Sequence, residues 1–309
     1  MPGERVEETV EIPTRVLVES MIREDATIDA GELYAVANTL GMSDQQVRLH
    51  IRRLVADGLI TQEGRGRKAS LRVGAEMQSS IGPNVEFVRF MYDQDRGQAE
   101  WDGVWHLVGF AVPETRRADR DAVRDGIVRL GGAAIQGGLY VSPNAWEPYI
   151  DILADRLDIG EYLTRLTTTD LRVGDLDSPR RIAARLWPLD KIAAGHERLL
   201  GVARARLDRL TGPAELSQSE VLTVLVELAA EFTRATEYDP LLPPRLLPQP
   251  WPGTRARAVL ATCWARLTRY DLDSWPRMFQ HYSEVIRHAA ADASSADGIG
   301  TADGGSSTE

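Results

Sequence analysis

Gln45, Gln46, Arg48, Arg52 and Arg53 crowd into one short stretch of this 309-residue chain, and each is a side chain that can read a base edge. A Gln amide offers a donor and an acceptor that match adenine, and an Arg fork offers two parallel donors that match guanine. A second cluster, Arg65, Arg67 and Lys68, surrounds Gly64 and Gly66 and suits phosphates or a minor groove. Between Asp44 and Arg72 the cations Arg48, Arg52, Arg53, Arg65, Arg67, Lys68 and Arg72 face only Asp44, Asp57 and Glu63, in a chain of formal net charge −10. Arg is abundant everywhere and Lys68 and Lys191 are the only lysines, so position rather than number carries the argument. Global acidity does not oppose contact with a polyanion, because charges more than about 10 Å away are largely screened near 0.1 M salt.

Other chemistries find no constellation. The histidines, His50, His106, His196, His281 and His288, form no H-E-x-x-H and no Cys/His cluster, so no metal site is expected. No G-x-S-x-G elbow or phosphate loop occurs, and GGAAIQGG at 131–138 lacks the strand-to-helix spacing of a dinucleotide fingerprint. Its glycines suit tight turns or a bulge. Asp119 and Asp121 open a helix, where carboxylates complement the dipole. The apolar run WHLVGFAVPE has no acid inside it to hold Mg²⁺, only Asp102 before and Glu114 at its end. We therefore expect no catalytic residues and no cofactor, with nuclease activity the weaker alternative. The single cysteine, Cys263, excludes an internal disulfide and, with no adjacent base, is expected to be a buried structural thiol.

The elements that must position the two clusters are legible. Residues 12–24 and 30–40 space their apolar residues in a helical period, with Asp29 as N-cap of the second helix. Gly41 suits the left-handed position that ends it, and Ser43 with Gln46 makes the S-x-x-Q capping box of a third helix, completing a helix-turn-helix. On that helix Val47, Ile51, Leu54 and Val55 share one face, while Gln45, Gln46, Leu49, Arg52 and Arg53 lie across the other. After Gly58 the period becomes two, with Ala69, Leu71 and Val73 alternating against Lys68, Ser70 and Arg72. Three helices followed by a basic hairpin read as a winged helix.

Farther on, the pattern strand, helix, glycine-rich strand or strand pair, helix, strand between 105 and 171 suits a small ferredoxin-like sheet domain. From Ser178 the chain reads as helical, broken near 210–213 and by the proline-rich DPLLPPRLLPQPWPG. The fold class expected is α+β: a winged helix-turn-helix domain (1–80), a connecting helix and ferredoxin-like domain (81–176), a helical C-terminal domain (177–290), and a low-complexity tail (291–309) expected to be disordered. No apolar run approaches the roughly 20 residues that cross a bilayer, and the acidic N-terminus is unlike a signal peptide, so a cytoplasmic location is expected.

Three stretches together resemble the PaaX-type regulators, the phenylacetate-degradation repressor family. GMSDQQVRLHIRRLVADGLITQEGRGRKASLRV (41–73) resembles the family's recognition helix and wing, WHLVGFAVPETRRADRDAVRDGIVRLGGAAIQGGLYVSP (105–143) its central domain, and YDPLLPPRLLPQPWPGTRAR (238–257) its C-terminal signature. The wing departs from the family, which usually has an aromatic where Ala69-Ser70-Leu71 stands here. The resemblance implies a homodimeric repressor of a palindromic double-stranded DNA operator, released by a small effector, an aryl-CoA thioester such as phenylacetyl-CoA. CoA phosphates favour Arg forks, which singles out Arg116, Arg117 and Arg120, and an aryl tail favours aromatic walls such as Trp105, Trp146, Trp187 or Trp251, each equally suited to a core. The apolar faces with Val221, Leu222, Leu225 and Leu228, and with Val259, Leu260, Ala261 and Leu267, serve either a second copy or the chain's own packing. The competing reading is a nucleic-acid-processing or protein-adaptor module that uses the winged helix for docking.

Overall fold

The computed structural model describes residues 10–79, 82–272 and 274–286. The expected disordered tail and His288 lie outside the described residues. The chain clusters into two compact units. One comprises the chain up to Arg96, Leu199–Phe232 and the chain from Arg255, and the other comprises Gly97–Arg198 and Thr233–Thr254. The helices beyond residue 177 are divided between the two units.

The first unit begins with α1 (Thr14–Ser20), β1 (Thr27–Asp29), α2 (Ala30–Thr39), α3 (Asp44–Ala56), β2 (Ile60–Glu63) and β3 (Ser70–Val73), the strands pairing antiparallel in the order β1-β3-β2. This is the element order and sheet of a winged helix. Val47, Ile51 and Leu54 bury one face of α3, which packs on α1, α2 and β2. Ala69, Leu71 and Val73 are buried in alternation with exposed Lys68, Ser70 and Arg72. Val55, expected inside, is 39% exposed. β1 escapes the sequence reading because three residues are too few to display a period of two; Ile28 sits opposite Leu71 in the ladder. The helices α4 (Ala75–Ser79) and α5 (Gly82–Asp95) follow.

The second unit is built on β4 (Trp105–Phe110), α6 (Arg117–Arg129), β5 (Ala133–Gln136), β6 (Leu139–Ser142), α7 (Glu147–Leu157) and β7 (Leu163–Thr168). The strands run β5-β6-β4-β7, every neighbour antiparallel, which is the ferredoxin-like arrangement. One face of the sheet, with Val108 and Tyr140, buries Val123 and Ile127 of α6 and Ile150 and Leu153 of α7. The other face, with Trp105, Leu107 and Val141, is covered by α8 (Pro179–Leu186), by the start of α9 (Leu189–Thr211), and by Leu242, Leu246 and Trp251 of the proline-rich segment. The glycine-rich run is a strand pair with a register shift between Ala134 and Gln136. Its first glycine, Gly131, has φ +85°, and a Cβ there would lie 2.8 Å from the Cα of Pro240. That close approach explains why the segment needs glycine. Asn144 Nδ2 donates to the carbonyls of Pro240 and Leu241 at 3.1 and 3.0 Å, and His196 Nε2 pairs with Asp239 at 2.7 Å, so the Asp-Pro signature is tied down from two sides.

The remainder of the first unit is helical: the end of α9, α10 (Gln218–Thr236), α11 (Pro252–Leu267) and a helical stretch at 277–286. Arg206 of α9 makes a bidentate pair with Glu227 of α10 at 2.6 and 2.7 Å, which satisfies two charges that would otherwise be costly to bury. Arg257 of α11 pairs with Asp95 of α5, and the Arg277 amide donates to the Ile22 carbonyl at 2.7 Å. Val221, Leu222, Leu225, Leu228, Leu260 and Leu267 are all buried within the chain. Ala261 is buried as well and Val259 is half-buried, so most of the apolar surface considered for a second copy is used internally. Cys263 is buried, its thiol contacts the Ala203 carbonyl at 3.2 Å, and burial pushes its pKa up to about 12.

Candidate nucleic-acid interface

The local rules around α3 operate as the residues dictate. Asp29 accepts from the Glu32 amide at 2.9 Å and starts α2, and Gly41 at φ +76° ends it. Ser43 then accepts from the Gln46 amide at 3.3 Å while the Gln46 side-chain oxygen accepts from the Ser43 amide at 2.8 Å, a complete capping box. Of the predicted reading residues, Gln45, Arg48, Arg52 and Arg53 lie exposed on the outer face of α3. Gln46 is exposed too, but its oxygen is spent on the cap, which leaves only its NH₂ for another partner. Leu49, half exposed, stands among them.

The hairpin places Arg65, Arg67 and Lys68 on its tip, all exposed. Gly64 and Gly66 take positive φ there, and a short 3₁₀ turn spans Gly66–Lys68. Arg67 bends back: its guanidinium lies 3.5 Å from Asp44 in the first turn of α3 and 5.8 Å from the Tyr34 ring centroid. The wing tip and the α3 N-terminus thereby form one continuous surface. Among the described residues, Arg48, Arg52, Arg53, Arg65 and Lys68 meet no carboxylate within ion-pair distance, whereas Arg15, Arg23 and Arg89 in the same unit each do. Cations without an ion-pair partner in the protein are what a surface that contacts an external polyanion is expected to present. His50, half-buried on α3, has an Nε2 without a partner, and burial together with the charge of Arg53 lowers its pKa.

The structure does not assemble Arg116, Arg117 and Arg120 into an anion site. Arg116 donates to Asp119 at 2.8 Å and to the carbonyls of Leu157 and Asp158 at 2.7 Å each, so it closes the C-terminus of α7. Arg120 is paired with Glu114, and Arg117 lies 3.9 Å from Asp121. Trp105, Trp146, Trp187 and Trp251 are buried core residues, and the Trp187 indole donates to the Gly131 carbonyl at 2.9 Å. Sequence reasoning missed these commitments because the α7 carbonyls are some forty residues from Arg116. Among the described residues no group of three or more His, Cys, Asp or Glu could hold a metal ion, and no helix is long and apolar enough to cross a membrane.

A capped helix with an outward cationic face and a cationic hairpin beside it have the arrangement of a winged helix-turn-helix, and a ferredoxin-like unit follows in the chain. Three family models match: the PaaX-like protein model at residues 13–76, the PaaX protein central Cas2-like domain at 98–182, and the PaaX-like protein C-terminal domain at 187–291. The chain belongs to the PaaX family of transcriptional regulators. Among solved structures it is similar to Rv0674 of Mycobacterium tuberculosis, an uncharacterised protein. The two share 22% identity and a TM-score of 0.51, over 82% of this chain and 97% of the other, a likeness of fold. A comparison with curated proteins finds no match.

Proposed function

We propose that the protein is a cytoplasmic repressor that binds a palindromic DNA operator as a homodimer and leaves it when a small aryl-CoA thioester, such as phenylacetyl-CoA, binds. The observation that supports this best is the set of unpaired cations on α3 and the wing, carried by a fully capped helix and a hairpin whose inner faces are buried. In this reading α3 enters the major groove. Gln45, Arg48 and Arg52 reach base edges or adjacent phosphates, the Gln46 NH₂ and Arg53 add donors at the margin, and Leu49 suits a thymine methyl. Arg65 and Lys68 take phosphates or a minor groove, with Arg67 bridging the two surfaces.

One winged helix offers few contacts, so two copies on half-sites about one helical turn apart, or a multiple, supply the selectivity. The effector weakens binding by the ratio of its affinities for the free and DNA-bound protein, a coupling of about 1–3 kcal/mol. Arg52→Ala is expected to weaken binding to the operator by about 1–3 kcal/mol while its binding to unrelated DNA changes far less. Equal affinity of the variant and the parent for the operator, measured at one salt concentration, would remove α3 from the groove.

A further inference from the structure

In the second unit, Arg116, Arg117 and Arg120 each meet a carboxylate, but among the described residues Arg180 and Arg245 do not. Arg180 is nevertheless held in place, because its Nε donates to the Arg245 carbonyl at 2.7 Å. That bond uses one nitrogen and leaves both terminal nitrogens of the fork without a partner in the protein. Beside the two arginines lies a cavity of about 360 Å³, lined by Trp101, Ser178, Pro179, Arg180, Arg245 and Leu246.

Its walls are fixed before any ligand arrives. The Trp101 indole donates to the Val104 carbonyl at 2.9 Å and meets Trp105 edge-on at 5.1 Å. Trp105 is itself stacked on Trp187, so this wall is anchored in the core. Leu246 is 2% exposed and belongs to the same core cluster. Ser178, the N-cap residue of α8, makes no side-chain cap bond, and its hydroxyl is available to a polar group. A flat apolar wall beside two unneutralised guanidinium groups is complementary to a planar ring that carries a negative charge.

We infer that this cavity binds an aromatic ring bearing an anionic group, with the ring against Trp101, Pro179 and Leu246 and the anion on Arg180 and Arg245, and that it is where the effector acts. The second clause rests on the function proposed above. The volume admits a ring and a short side chain but not a whole CoA thioester, so two sources share the chemistry. Either a free aryl carboxylate fills the cavity, or the aryl end of a thioester enters while CoA phosphates lie over the arginines.

Titration calorimetry on the full chain with phenylacetate, phenylacetyl-CoA and CoA alone tests the inference. At least one aryl probe is expected to bind the parent more tightly than CoA does. The Arg180→Ala, Arg245→Ala double variant is expected to lose at least about tenfold in that affinity with its melting curve unchanged, and the corresponding double Lys variant to recover part of it. The arm that binds identifies the source. Absence of binding by both aryl probes, binding of CoA as tight as that of the tighter aryl probe, or a double Ala variant that binds like the parent would each overturn the assignment. Operator binding is followed separately: a probe that occupies the cavity without releasing DNA sinks the effector reading and leaves the site standing.

Discussion

Neutralising the wing tests the interface most sharply, because the structure separates its three cations into two kinds. Arg65 and Lys68 are exposed and meet no carboxylate among the described residues, whereas Arg67 is already opposed by Asp44 at 3.5 Å. Each phosphate neutralised by a bound cation contributes about −0.9 to the slope of log K against log salt. An Arg65→Ala, Lys68→Ala double variant therefore flattens the slope by about 1.8 for each chain bound, twice the single contribution. Between 50 and 200 mM salt that amounts to roughly a twelvefold smaller loss of affinity per chain than the parent shows. Arg67→Ala flattens it less than either residue alone, since part of its charge is spent on Asp44. The assay is fluorescence anisotropy of a labelled duplex at four or more salt concentrations, on operator and on unrelated sequence. Loss of affinity should be alike on both duplexes. An unchanged slope in the double variant would take the wing off the phosphates, and a loss confined to the operator would mean that the wing reads bases.

Other expectations are independent of DNA. Ser43→Ala removes the capping box of α3 and should lower stability by about 1 kcal/mol, read from a denaturant midpoint, while Ser43→Asn should be near neutral. Cys263, buried and with its pKa pushed up to about 12, should resist a thiol reagent at pH 8 in the folded protein and react at once in denaturant; rapid labelling of the native chain would contradict the packing of α11. His50 has its pKa lowered from the ordinary 6.5 by burial and by Arg53, so the unfolded chain binds its proton first. The stability it permits is complete above pH 6.5 and declines as pH falls through that value toward the folded pKa. His50→Gln should show a shallower loss of melting temperature between pH 7.5 and 5.5 than the parent, and parallel curves would refute the assignment.

What the sequence made legible followed local rules. Asp29, Gly41, Ser43 and Gln46 act within four residues of themselves, and the inward sets Val47, Ile51, Leu54 and Ala69, Leu71, Val73 follow one period each. Those rules located α3 and the wing to within a residue or two. The strand order of the ferredoxin-like unit followed from the order of its elements, and the glycine-rich run resolved into a strand pair. What failed was long-range. The partners of Arg116 lie on the last turn of α7, Arg67 answers Asp44 across the wing, and the cavity is assembled from residues near 101, 180 and 245. A side chain's type announces what it can bind, but its free valences depend on neighbours that the local pattern does not contain.

The bond between the Arg277 amide and the Ile22 carbonyl also sets a timetable. On the ribosome, the chain that carries α3 and the wing emerges early, yet its first unit is not closed until the helical stretch beyond residue 276 has been made. At about 5–20 residues per second, the 255 positions from Ile22 to Arg277 take roughly 10–50 s to synthesise. During that interval α5, whose buried Met91 and Tyr92 belong to the same unit as the late helices, waits without them. Nascent chains of this protein should therefore be clients of ribosome-associated chaperones, and message truncated before the codon for Arg277 should yield product that is degraded rather than a stable free-standing winged helix.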